Sequence, residues 1–116
     1  MASPQSGQDE FFEQDVAAAI ALRFDGDAAL YHAFALDCAA QFAVDAAAGE
    51  AACQDGDLPA LRRLAHNLKS ALLMLGHEAM SHLAAEVEEQ AAQGDRHGAL
   101  ASWRGLHRHL LRLIPR

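Results

Sequence analysis

Apolar residues recur at intervals of three and four along most of this chain, and short polar turns interrupt them four times. That period is the mark of helices with one buried face. Phe12, Val16 and Ile20 predict a first helix over about 9–24. Asp25-Gly26-Asp27 breaks it, with Asp27 as the cap of a second, longer helix over about 28–54 that carries Leu30, Phe34, Cys38 and Phe42 in one stripe. Gly49 inside that helix costs about 1 kcal/mol against alanine and suggests a bend. Asp55-Gly56-Asp57 is the next break, and Asp57 followed by Pro59 opens a third helix that runs to Leu75 and stops at Gly76. Met80, Leu83 and Val87 define a fourth helix over about 78–93, closed by Gly94-Asp95. Leu100, Trp103, Leu106, Leu110 and Leu113 define a fifth over about 96–114, ended by Pro115. Loops this short force antiparallel neighbours. The expected fold is all-α: an antiparallel up-down four-helix bundle with an additional N-terminal helix across one end. Residues 1–8 read as a flexible tail and 9–116 as one domain.

Composition removes the alternatives. The 116 residues include 27 alanines and no threonine, with valine and isoleucine together only five, which disfavours strands. A net charge of −7 argues against nucleic acid. The charge is uneven. Residues 1–57 hold eleven acids and one base, Arg23, whereas 58–77 hold Arg62, Arg63 and Lys69 without an acid. The final helix adds arginines, expected to complement the acidic first half or the helix C-terminus. A locally basic face on an acidic chain points to an acidic protein partner. Cys38 and Cys53 share one helix about 22 Å apart, beyond the ~7 Å limit of a disulfide. Free thiols, a polar start in MASPQSGQ and the lack of a long apolar run suggest a cytoplasmic protein without membrane insertion.

The third helix carries the candidate chemistry. With Leu68 at zero, Leu61, Leu64, Ala65, Leu72 and Leu75 fall within about 60° of it, while His66 falls at roughly 160° and Ser70 at roughly −160°. His66 therefore points away from the core. Arg63 and His77 fall on the same outward side, with Lys69 at its edge. Leu73 and Met74 also share it, and two readings stand: a greasy helix end covered by the first helix, or an apolar docking patch beside a reactive residue. An exposed neutral imidazole is a nucleophile. A lysine one turn on and a hydroxyl four residues on can attract and hydrogen-bond the oxygens of a phosphoryl group. Charge and position are what phosphoryl transfer demands.

At His66-Asn67-Leu68-Lys69-Ser70, with Gly76 following, the sequence resembles the histidine-containing phosphotransfer (HPt) domains of two-component phosphorelays. The similarity extends over LRFDGDAALYHAF, QDGDLPALRRLAHNLKSALLMLG and HLAAEVEEQAAQGD. The resemblance implies a phosphocarrier with no kinase activity of its own, which relays a phosphoryl group between receiver-domain aspartates through phosphohistidine at His66. Lys69 would stabilise its charge and Gly76 would stop the helix. Ser70 stands where the family usually has glycine, which leaves transfer intact with an altered rate or partner choice.

The expected partners are response-regulator receiver domains or a hybrid sensor kinase. Arg62, Arg63, Leu73, Met74 and His77 are the expected contact residues, in a modest, transient interface made by a monomer. No cofactor is expected in this chain, since no acid cluster accompanies His66 to hold Mg²⁺; that ion belongs to the partner. Glu86, Glu88 and Glu89 read as a solvated face. Seven histidines raise a metal-binding bundle as a rival, but no Glu-x-x-His pairs are present. An adaptor that docks without phosphotransfer is the alternative.

Overall fold

The computed structural model describes residues 14–115. Five helices follow in order: α1 (Val16–Arg23), α2 (Ala28–Asp55), α3 (Leu58–Leu75), α4 (Glu78–Ala92) and α5 (Arg96–Leu111). No strand occurs among the described residues. Aspartates set four of the five starts. Asp15, Asp27, Asp57 and Asp95 each accept, through Oδ1, the backbone N–H three residues on, at 2.9–3.1 Å. Each satisfies an amide that the helix itself leaves unpaired, and loss of such a cap costs ~1 kcal/mol. Helix α3 closes just as definitely. Gly76 takes a left-handed φ of 91°, the His77 N–H donates back to Leu72 O at 2.9 Å and the Gly76 N–H to Leu73 O at 3.1 Å. This reversed pair of bonds ends a helix at a glycine.

Helices α2, α3, α4 and α5 pack in a closed ring, each against the next and α5 back on α2, while α1 lies on α3. Leu61, Leu68 and Leu72 of α3 meet Met80, Ala84 and Val87 of α4 and Trp103, Leu106 and Leu110 of α5 in the shared interior. Gly49 has a packing role. A Cβ at that position would overlap the indole ring of Trp103, and the indole N–H donates to Glu50 Oε1 at 2.9 Å. Its absent side chain lets α5 seat its largest residue against α2.

Two helix boundaries and one inward-facing residue differ from the sequence pattern. Helix α1 begins at Val16, because Asp15 caps it; the expected tail, and Phe12 with the first turn of the expected helix, lie outside the described residues. On α2 the inward residue is Tyr31, and Leu30 is 54% exposed. Tyr31 packs edge-on against Phe24 and donates its hydroxyl to Leu75 O at 2.8 Å, so a buried ring with a polar anchor decides how the first turn faces. Helix α5 ends at Leu111; beyond it the Leu113 N–H donates to Leu110 O and the Ile114 N–H to Leu111 O, tighter three-residue turns that lead to Pro115. Cys38 and Cys53 are both free thiols on α2.

Candidate functional site

The outward face of α3 holds His66 where its wheel position requires, with the side chain 60% exposed. What stands beside it comes from α4. Glu88 Oε2 lies 2.7 Å from His66 Nδ1, and Glu88 Oε1 accepts from Lys69 Nζ at 2.6 Å. One carboxylate thus holds both residues of the His-x-x-Lys pair, one with each oxygen. The hydrogen bond from Lys69 is the chief reason the Glu88 carboxyl is held below its ordinary value, helped by His66 and opposed by partial burial. An ionised carboxylate can only accept. Nδ1 must therefore carry the ring proton, and in the neutral ring Nε2 is left with the lone pair.

Helix α4 is locked to α3 at this level. Ser81, buried on α4, donates its hydroxyl to the Lys69 carbonyl at 2.8 Å. Ser81 and Glu88 are seven residues apart and lie on one side of α4, flanking its buried stripe of Met80, Ala84 and Val87. The expectation of a solvated Glu86-Glu88-Glu89 face is therefore corrected at its middle member: Glu86 and Glu89 are exposed, whereas Glu88 turns toward α3. On a wheel of α4 Glu88 falls beside Ser81, at the edge of the buried stripe, but the wheel does not say which helix lies there. Three acids within four residues concealed it.

A groove of about 580 Å³ opens next to His66, lined by Pro59, Arg62, Arg63, Asn67 and Glu88. Both arginines are exposed. The concave surface thus runs from the histidine toward the N-terminal end of α3. Ser70 is exposed four residues beyond His66.

The other end of the same face is built differently. Leu73 is half-buried and shares a small cleft with Ala18, Ala19 and Leu22 of α1. Met74 packs partly against the core. Leu73 therefore borders the first helix across a cleft. Gly76 lies against the backbone of Asp15, where an added Cβ would stand 2.9 Å from the carbonyl oxygen. His77 overturns its expected place among the contact residues: it is 4% exposed. The helical wheel does not extend past Gly76, whose left-handed turn carries His77 inward as the first residue of the approach to α4. Its Nδ1 has no hydrogen-bond partner, and burial lowers its pKa from the ordinary 6.5. A residue so enclosed presents no surface to a partner.

The family model described as the Hpt domain matches residues 31–115. The chain belongs to the Hpt domain family. Comparison with curated proteins and with solved structures found no match. Membership implies histidine phosphotransfer in phosphorelays, in which Hpt domains interact with receiver domains and kinases. In this Hpt domain, no group of three or more His, Cys, Asp or Glu side chains among the described residues is placed to hold a metal ion. None of its described helices is long and apolar enough to cross a membrane.

Proposed function

We propose that His66 is the phosphoacceptor of this Hpt domain and that it exchanges a phosphoryl group with the aspartate of a receiver domain. The reading rests on one observation above the others: an exposed imidazole whose Nδ1 meets an ionised carboxylate at 2.7 Å. The Nε2 lone pair attacks phosphorus, the bond from phosphorus to the aspartyl oxygen breaks, and the aspartate leaves as a carboxylate. The Nδ1 proton stays on the ring, and Glu88 stabilises the positive charge that develops there. Reversal returns the group to another receiver. Lys69 sits close enough to follow the incoming charge, its ammonium passing from Glu88 to the phosphoryl oxygens. Arg62 and Arg63 meet the acidic surface of the receiver, which carries its own Mg²⁺. Ser70 borders the approach and offers a hydroxyl where glycine would offer only space.

The test is incubation of the full chain with a receiver domain phosphorylated on its aspartate. An acid-labile label on the wild type, lost in His66→Gln with an unchanged thermal melt, is the expected result. An unlabelled wild type, or full labelling of His66→Gln, overturns the assignment. Equal transfer rates for Ser70→Gly and the wild type with every receiver tried would remove Ser70 from the site.

A further inference from the structure

The residues around His66 restrict which compounds can donate a phosphoryl group in the groove. Among the described residues Glu88 is the only acid that lines it, and both its oxygens are occupied by Lys69 and His66. Held below its ordinary value, it cannot hand a proton to a departing alkoxide, so phosphate esters are poor donors here. No second carboxylate among the described residues lines the groove to hold Mg²⁺ on a nucleotide. A donor whose leaving group departs as a stable anion needs neither. Acyl phosphates form that class, because a carboxylate leaves without being protonated.

Arg62 and Arg63 supply what such a donor does require: positive charge that neutralises both the phosphoryl oxygens and the departing carboxylate. The groove of about 580 Å³ falls in the range of small-molecule sites, and it is formed entirely by this chain. We propose that His66 also accepts a phosphoryl group directly from small free acyl phosphates, seated by Arg62 and Arg63, with no receiver or kinase present. The proposal rests on His66 being the phosphoacceptor. Nε2 forms the new bond to phosphorus. The bond from phosphorus to the acyl oxygen breaks, and its electron pair leaves on the carboxylate. The Nδ1 proton remains shared with Glu88, and phosphohistidine results.

Acetyl phosphate is the probe. The full chain, His66→Gln and the double variant Arg62→Gln/Arg63→Gln are incubated with it. A parallel arm uses a phosphorylated receiver. Phosphorus NMR and mass spectrometry of the intact chain and its peptides are the readouts. The expected result is a phosphohistidine resonance in the wild type and none in His66→Gln. The double variant should react about tenfold more slowly at limiting acetyl phosphate, the rate equivalent of losing a charge-assisted contact. Labelling by the receiver but not by acetyl phosphate overturns this inference and leaves the relay reading standing. Labelling by neither overturns both. An acetyl group in place of a phosphoryl group, or equal rates for the double variant and the wild type, overturns the groove as an acyl phosphate site.

Discussion

From Pro59 to Asn67 the outward face of α3 borders an open, arginine-lined groove; from Leu73 to Gly76 the same face meets α1. Both stretches belong to one helix and both point away from the bundle core. What separates them is the neighbour. Beside the first stands α4, which contributes a single carboxylate and leaves the ring of His66 60% exposed. Over the second lies α1, anchored where Gln14 donates to Leu75 O at 2.7 Å and to the Tyr31 hydroxyl at 2.6 Å. A residue on an outward face becomes a site or a strut according to what is packed above it. The groove end should therefore respond in partner binding, and the covered end in stability.

The largest effect is expected from charge reversal at the groove. Arg62→Glu with Arg63→Glu should slow association with a receiver by on the order of 10–100-fold at low salt, measured by stopped-flow, with an unchanged melting temperature. A rate that does not move would show that the receiver approaches from the Leu73 end. Glu88→Gln comes next. Phosphotransfer to His66 should fall about tenfold while receiver affinity holds. Nitrogen NMR of the ring should show Nδ1–H in the wild type and mixed tautomers in the variant; an unmoved tautomer would confine Glu88 to a structural contact.

At the covered end, Gly76→Ala forces a Cβ into a left-handed turn against the Asp15 carbonyl. It should cost about 1–2 kcal/mol in denaturant unfolding and leave the phosphotransfer rate of the folded protein unchanged. The smallest effect is pH-dependent. Burial holds His77 below its ordinary 6.5, so on acidification the unfolded chain takes up the proton first. Stability should be full above that pH and decline as pH falls toward the folded value. His77→Gln should flatten this decline in unfolding curves at pH 7 and pH 5. Part of the slope should remain, because His109 is held low by burial and by Arg108 and Arg112, with the same sign. An unaltered slope would deny His77 any share in it.

The helices were legible because aspartates and glycines mark their ends and leucines mark their inner faces. The direction of His66 followed from the same period. Residues whose role depends on another element were not legible. Glu88 acts through its distance from α3, which no pattern along α4 encodes. His77 was misread because its wheel position assumed a helix that Gly76 had already ended. Gly49 registered only as a propensity cost, since its reason is an indole fifty-four residues away in sequence. The partners of Glu50 show the same limit: it accepts from Trp103 and lies 3.6 Å from His107 Nδ1, both on α5 and both remote in sequence.

The seat of Trp103 on Gly49 has a practical consequence. The chain has one tryptophan; it is 1% exposed and lies on the α2–α5 seam, while His66 and Glu88 lie on the α3–α4 seam across the ring. Its fluorescence is therefore a built-in gauge of bundle integrity that is insulated from the charge state of the site. Emission that stays constant while His66 is loaded and unloaded would mean that the molecule carries its cargo as a rigid body.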